Sequence, residues 1–169
     1  MGFELPGAIG ASIANNKRKI ICLAGDGSIM MNLQELETIK NLNLNIIIFL
    51  INNDGYLSIK QTQKNFFGQE HGSSPKSGLS FPNFVKIANA FGIRSFDLKL
   101  NNWKVKLKKI LKLKGPIFVN VIVDTQQEFE PKLKSRKINN KIVTPSLEKM
   151  YPFLSDKTNV RILKKLNEI

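Results

Sequence analysis

The chain has few of the residues that characterise disulfide-stabilised or membrane-spanning proteins. Cys22 is the only cysteine among 169 residues, so no intramolecular disulfide can form, and a reducing cytoplasm fits that composition. Cys22 lies within the apolar run of residues 20–24, where a small buried side chain is expected. The longest strongly apolar run, residues 46–51, is far too short to cross a bilayer. These shortages predict a soluble, cytoplasmic protein without membrane contact.

Acidic residues are also scarce. Against 26 Lys and Arg there are 13 Asp and Glu, which gives a formal net charge of +13. Such a charge favours phosphates, nucleic acid or an acidic partner. However, the basic residues are scattered, and no nucleic-acid-binding motif accompanies them, so nucleic acid is not an expected partner. The lysines of residues 102–114 indicate a solvated helix face over an apolar stripe.

Apolar runs alternate with helical periodicity along most of the chain. Residues 20–24 are a continuous apolar run, and 45–51 are apolar after Asn45, a pattern typical of strands buried on both faces of a parallel sheet. Between them, Asn32 and Glu35 have the spacing of a capping box, and an amphipathic helical pattern follows. Strand, helix and strand within about thirty residues form a βαβ unit.

The remaining pattern continues the alternation. A polar stretch at 61–79 indicates a long surface loop. A helix opens at Pro82 and stops near Gly92. Strands are predicted at 93–98 and 117–123, and a helix at 102–113. The fold class is therefore α/β, an open, mostly parallel sheet with helices on both faces. Beyond Asp124 the chain is charged and irregular, so we divide it into a domain at 1–125 and a C-terminal arm at 126–169.

Oxygen-bearing side chains follow the first two predicted strands. Asp26 comes directly after the first, and Asn53 ends the second. Because parallel strands bring their carboxyl ends to one edge, we expect these two residues to lie close together. Magnesium prefers a nearly octahedral shell of oxygens, which a carboxylate, an amide oxygen and the backbone carbonyl of Gly55 could supply in part. The sequence predicts a magnesium site with Asp26, Asn53 and Gly55 as ligands.

A glycine-containing turn precedes the capped helix. Its sequence is Gly25-Asp26-Gly27-Ser28. The N–H groups of Gly27 and Ser28, with the positive end of the following helix, can face a diphosphate. Gly-Asp-Gly alone is a common turn, but the strand before it, the helix after it and the second strand ending in Asn-Asn make a binding role more specific. A diphosphate bound through magnesium is the implied ligand.

These motifs resemble the thiamine diphosphate-binding signature of the family that includes acetolactate synthase, pyruvate oxidase and benzoylformate decarboxylase. Residues 1–11 look like the stretch that opens this domain in acetolactate synthases, and Gly115-Pro116 with the apolar strand up to Asp124 resembles their last sheet strand. The resemblance implies the thiamine diphosphate-binding fold, with thiamine diphosphate and magnesium as cofactors. It implies cofactor contacts from Gly25, Asp26, Gly27, Ser28, Asn53, Gly55 and Tyr56.

The resemblance also implies an enzyme, a transferase or lyase that decarboxylates or joins pyruvate or related 2-keto acids. In this family the cofactor lies between two domains, usually from different subunits, and a glutamate of the other domain activates it. The chain is therefore expected to be inactive alone and to work in a homo- or hetero-oligomer with a pyrimidine-binding domain or subunit. Three origins stay open, namely a natural subunit, a truncated gene product or an excised domain.

Two departures from the family keep alternatives open. Glu4 and Leu57 stand where acetolactate synthases tend to have glycine, so the substrate pocket can differ. One alternative is another thiamine diphosphate enzyme, such as a 2-keto acid decarboxylase or a sugar-modifying synthase. Another is a non-catalytic fragment that only binds a partner. His71, the only histidine, is expected to be an ordinary surface residue rather than a proton donor.

Overall fold

The computed structural model describes residues 1–101 and 103–166. The helices are α1 (Glu4–Ala14), α2 (Asp26–Ile29), α3 (Glu35–Asn41), α4 (Leu57–Phe67), α5 (Phe84–Ala90), α6 (Trp103–Ile110) and α7 (Asp156–Leu166). The strands are β1 (Ile20–Gly25), β2 (Ile46–Asn52), β3 (Arg94–Leu98), β4 (Ile117–Ile122), β5 (Arg136–Ile138) and β6 (Lys141–Val143). The chain divides into two compact units, of which the first is Met1–Gln127 and the second begins at Glu128.

The first unit is built on a four-stranded sheet with the order β1-β2-β4-β3. All neighbouring strands in it are parallel. In the register, Gly25 of β1 pairs with Ile51 of β2, which pairs with Val121 of β4. Parallel strands end at the same edge, so the residues that follow β1 and β2 emerge side by side. This edge holds the residues of interest.

Helices cover both faces of this sheet. On one face α1, α3 and α5 bury Leu5, Leu36 and Phe84, each at most 2% exposed, in a cluster with side chains from β1, β2 and β4. On the other face Ile110 of α6 packs with Ile47 and other apolar side chains of β2, β3 and β4. The α/β fold class with helices on both faces is confirmed. No helix in the described part of the chain combines the length and apolarity needed to span a membrane.

The prediction that the apolar runs at 20–24 and 45–51 both form strands buried on two faces was wrong for the first, β1. Cys22 and Ala24 are 5% and 3% exposed, but the alternate residues Ile21 and Leu23 are 52% and 65% exposed. Within the described sheet β1 is an edge strand, and α6 covers the far side of that face through its contacts with β3. A continuous apolar run shows that both faces can be buried, not that both are covered.

Three local predictions also differ from the structure. The capping box was wrong, since α3 begins at Glu35 and the Asn32 amide instead donates to the carbonyl of Gly2. The predicted loop at 61–79 is helical at its start, because α4 continues to Phe67 and ends at Gly68 in a left-handed conformation. The helix predicted from Pro82 begins at Phe84, where the side chain of Asn83 caps it by accepting from the Lys86 N–H.

The second unit contains regular structure where an irregular arm was expected. β5 and β6 form an antiparallel hairpin, with Asn139 and Asn140 both at positive φ in its turn. Asparagine tolerates this conformation, which the tight turn of such a hairpin requires. The amphipathic helix α7 follows further along. In the first unit, the predicted start of α6 at Asn102 lies outside the described residues.

Candidate functional site

The carboxylate of Asp26 lies at the end of β1 and is almost fully enclosed, with 2% of the residue exposed. Its Oδ1 accepts the Gly27 N–H at 2.7 Å. Its Oδ2 accepts the N–H groups of Asn53 at 3.1 Å and Gly55 at 3.2 Å. Burial raises the pKa of Asp26, and the backbone hydrogen bonds partly oppose that rise. The first two strand ends are therefore joined through one buried acidic group.

One end of the Asn53 side-chain amide faces only oxygen atoms. One of its two terminal atoms lies 3.2 and 3.1 Å from the carboxylate oxygens of Asp26 and 2.9 Å from the carbonyl oxygen of Gly55. With nitrogen at this position, the amide donates to all three oxygens. With oxygen there, four oxygens from three residues converge, an arrangement that needs a cation among them. Adjacent ligands of an octahedral magnesium shell lie about 3 Å apart, so this donor set fits the ion.

Gly55 is held where a side chain cannot fit. A Cβ added to Gly55 would lie 2.7 Å from the carbonyl oxygen of Ser73, which is also the acceptor for the Tyr56 N–H at 2.9 Å. Asp54, just before it, has a φ of 57°. This sharp turn points the Gly55 N–H at Asp26 while its carbonyl faces the Asn53 amide. The close approach of the backbone at residue 73 therefore explains why glycine follows Asp54.

The turn after β1 is a single helical turn, α2, with Gly25 in extended conformation before it. Its Gly27 N–H donates to Asp26, which differs from the predicted orientation toward a diphosphate. Gly27 instead lies under the ring of Tyr56, which a Cβ at residue 27 would overlap. The hydroxyl of Ser28 accepts the Gly2 N–H at 2.8 Å. All seven predicted site residues thus lie on α2, on the Asn53–Tyr56 loop or directly beside them.

Aromatic packing fixes the far side of this loop. The Tyr56 ring contacts Phe81 edge to face, with centroids 5.8 Å apart, and Phe81 in turn contacts the buried Phe84 of α5. His71 is exposed, as expected, and its backbone is held by the side chain of Gln63. We call Asp26, Asn53 and Gly55 the strand-end cluster. The structure thus brings Tyr56 next to this cluster and leaves His71 at the surface.

Sequence reasoning missed three residues that shape the site. The Ser73 carbonyl and the Gly2 N–H act through backbone atoms, and neither position carries a sequence signal. Asn120 is different, because it is a single polar residue within the apolar strand β4 and only 7% exposed. Its side chain bonds to Asn52 at the end of β2. A lone amide in a buried strand was a readable signal, since such groups require partners.

A family model described as the thiamine pyrophosphate enzyme, C-terminal TPP binding domain, matches residues 1–121. The chain belongs to this family. The matched region contains the whole four-stranded sheet except the last residue of β4, and every residue of the strand-end cluster.

Two relatives are acetolactate synthases. The large subunit from Cyanidium caldarium is 39% identical over 144 residues, covering 85% of this chain and 24% of the relative. The isozyme 1 large subunit from Escherichia coli (strain K12) is 36% identical over 146 residues, covering 85% and 25%. These similarities show that the domain is of the acetolactate synthase-like type. The chain spans about a quarter of the length of these relatives.

A solved structure shares the fold. The thiamine diphosphate-dependent 4-hydroxybenzoylformate decarboxylase of Rhodococcus jostii RHA1 superposes with a TM-score of 0.63 and 28% sequence identity, over 73% of this chain and 23% of that one. The shared region again corresponds to one domain of a longer thiamine pyrophosphate enzyme.

Proposed function

We propose that the strand-end cluster binds thiamine diphosphate through a magnesium ion, with Asp26, Asn53 and the carbonyl of Gly55 as the protein ligands. The observation that carries the proposal is the position of the Asn53 amide, half-buried, within 2.9 to 3.2 Å of three oxygens, two of which belong to the buried carboxylate of Asp26. A diphosphate and water would supply the other ligands, as is usual for magnesium. We assign this role to the domain at 1–125, with 126–169 as an arm.

The residues around the metal position would hold the diphosphate. Gly25, Gly27 and Ser28 supply a compact turn without bulky side chains at the rim of the sheet. The Tyr56 ring packs across Gly27, which keeps the turn and the Asn53–Tyr56 loop in contact. Bringing a negatively charged diphosphate beside the Asp26 carboxylate requires a cation between them. This requirement supports binding that depends on magnesium.

The whole enzyme is proposed to decarboxylate or join pyruvate or related 2-keto acids, as the names of the acetolactate synthase relatives suggest. Thiamine diphosphate supplies the electron sink for such chemistry. The described residues of this chain contribute binding and orientation of the diphosphate end. The likeness to the 4-hydroxybenzoylformate decarboxylase of Rhodococcus jostii RHA1 favours a second candidate, a 2-keto acid decarboxylase. Product analysis of the assembled enzyme with pyruvate distinguishes carboligation from simple decarboxylation.

We further propose that a pyrimidine-binding domain or subunit completes the site. The relatives are about four times longer than the matched region, which leaves room for such a domain. Apolar side chains are also exposed in the described part of the first unit, including Leu23 on β1, Phe3 before α1 and Met31 after α2, at 65%, 75% and 53%. Apolar surface of this kind is typical of an interface.

Isothermal titration calorimetry with thiamine diphosphate, with and without magnesium, tests the proposed site. We expect weak binding that requires magnesium and is lost in Asp26→Ala and Asn53→Ala. The matched controls Glu37→Ala and Asn41→Ala remove the same groups from exposed positions on α3 and should bind like the unmodified chain. Equal binding without magnesium, or by the Asp26 variant, would contradict the proposal.

A further inference from the structure

Three side chains connect the Asn53–Tyr56 loop to the edge strand β3. Asp97 of β3 accepts from Nδ2 of Asn120 at 2.9 Å. Asn120 of β4 accepts, through Oδ1, from Nδ2 of Asn52 at 3.0 Å. Asn52, the last residue of β2, accepts the Asp54 N–H through Oδ1 at 3.1 Å. One continuous chain of hydrogen bonds therefore runs from β3 across β4 and β2 into the loop.

We infer that Asp97, Asn120 and Asn52 are positioning residues, which hold the Asn53–Gly55 loop in the conformation that presents its ligands to magnesium. The inference rests on the proposed function of that loop. None of the three residues belongs to the proposed ligand set. They act through Asp54, whose φ of 57° lies in the left-handed region, which Asp adopts more readily than most residues with a side chain.

Asp97 determines the direction in which these hydrogen bonds run. A carboxylate only accepts hydrogen bonds, so Asn120 must point its NH2 group at Asp97 and its oxygen at Asn52. Asn52 must then give its NH2 group to Asn120, which leaves its oxygen for the loop. If Asn120 turned over, its NH2 group would face the NH2 group of Asn52, and if Asn52 turned over as well, the Asp54 N–H would face an NH2 group. The single charged end therefore selects one of two amide orientations for both asparagines.

The burial of Asn120 makes the wrong amide orientation energetically costly. Asn120 is 7% exposed within an apolar strand, so breaking either of its hydrogen bonds leaves a polar group without water to replace the partner. In the register, Asp97 lies directly beside Asn120 on the neighbouring strand. The sheet thus fixes the positions of both side chains, and their hydrogen bonds, through Asn52, restrain the loop.

Reversing the direction of these hydrogen bonds provides the test. In Asn52→Asp the new carboxylate still accepts the Asp54 N–H but can no longer donate to Asn120. If Asn120 turns over to serve it, its oxygen faces the Asp97 carboxylate. In the double variant Asn52→Asp/Asp97→Asn every link is satisfied again with the direction reversed, and the net charge equals that of the unmodified chain. A structural role limited to packing predicts no such rescue.

Amide hydrogen exchange of Asp54, followed by NMR in the ligand-free chain, is the deciding measurement. We expect Asn52→Asp and Asn120→Leu each to speed exchange at Asp54 by at least about fivefold, because each removes the hydrogen bond between residues 52 and 120 that holds the side chain bonded to the Asp54 N–H. Asn120→Leu also removes the bond to Asp97. The double variant should return to within about twofold of the unmodified chain. The control Asp124→Asn removes a charge just after β4 that bonds only locally, to the Gln126 N–H, and should change nothing.

The inference is overturned if the single variants exchange like the control, or if the double variant exchanges as fast as Asn52→Asp alone. A magnesium titration at fixed thiamine diphosphate then tests whether these hydrogen bonds affect magnesium binding. Asn120→Leu, which alters no charge, should raise the magnesium concentration for half-maximal binding by about fivefold. An unmodified chain that binds no cofactor would reject the proposed function, whereas the exchange data decide the inference independently.

Discussion

Gly27 and Tyr56 are packed so closely that the ring of Tyr56 occupies the space where a Cβ of residue 27 would lie. The two residues come from different strand ends, so their contact joins α2 to the Asn53–Tyr56 loop. Tyr56 is itself fixed by the edge-to-face contact with Phe81 and by the hydrogen bond of its N–H to Ser73. The ring therefore cannot move aside without disturbing a second set of contacts.

Gly27→Ala should consequently destabilise the chain by about 1–3 kcal/mol, the usual cost of an extra group in a filled space. It should also weaken magnesium-dependent binding of thiamine diphosphate, because the turn and the loop must separate. Thermal unfolding and calorimetry measure the two effects. The control Gly10→Ala lies on an exposed face of α1 with no atom within 4 Å of the added Cβ. Alanine there should stabilise the helix slightly, and equal effects at both positions would contradict the packing argument.

Magnesium binding should depend on pH through Asp26. Burial raises the pKa of this carboxyl, so the folded chain keeps the proton to a higher pH than the unfolded chain. The contribution of Asp26 to folding is therefore fully present below the unfolded pKa and is lost as the pH rises through the raised folded pKa. Magnesium competes with that same proton. We expect magnesium with thiamine diphosphate to raise the melting temperature at neutral pH and progressively less in mild acid.

Calorimetry in buffers of different ionisation enthalpy measures the proton released when magnesium binds. Release should increase as the pH falls from neutral toward the raised pKa of Asp26. Glu37→Gln, which alters an exposed carboxyl on α3, should leave this dependence unchanged. A magnesium effect that stays constant across the acid range would show that Asp26 is not the competing group.

Cys22 should be unreactive toward thiol reagents in the folded chain. Burial, and to a smaller extent the nearby charge of Glu4, raises the pKa of the Cys22 thiol from 9.0 to about 11. Its thiolate fraction at neutral pH therefore falls about a hundredfold, and the side chain is only 5% exposed. Labelling with a chromogenic disulfide should be slow in the folded chain and fast in denaturant. Rapid labelling under native conditions would mean that α1 separates readily from β1.

The sequence was most informative where short-range chemistry decides the structure. The alternation of apolar runs and helical patterns predicted the parallel sheet, and the predicted strand ends indicated that Asp26 lies beside Asn53, as the structure shows. The reason is physical, because a parallel sheet brings all its carboxyl ends to one edge. The ligand roles of these residues stay a prediction until metal binding is measured.

What the sequence did not predict depends on contacts between distant segments. The exposure of Ile21 and Leu23 follows from the strand order, which periodicity does not determine. Helix α4 was missed because its polar residues, such as Lys64, carry little apolar periodicity, although Gln and Lys are good helix formers. The Ser73 carbonyl that requires glycine at residue 55 acts through the backbone and leaves no trace in the sequence.

Asn53→Asp tests the electrostatic balance of the site most directly. In the ligand-free chain the Asn53 amide can donate to both oxygens of Asp26 and to the Gly55 carbonyl. A carboxylate at residue 53 removes these donors and places a second negative charge within about 3 Å of the first. We expect the free energy of unfolding at neutral pH to fall by about 2 kcal/mol, since a buried group loses its hydrogen-bond partners.

Magnesium should reverse this loss, because a divalent cation between the two carboxylates neutralises both. Chemical denaturation of Asn53→Asp without and with magnesium therefore measures both the loss of unfolding free energy and its recovery. Asn41→Asp adds the same charge at an exposed position on α3. It should show neither the loss of unfolding free energy nor the recovery with magnesium. The ion should stabilise Asn53→Asp more than it stabilises the unmodified chain, since it relieves a repulsion that only the variant contains. If magnesium stabilises both proteins equally, residue 53 does not face the ion, and the ligand assignment made from the Asn53 amide would have to be abandoned.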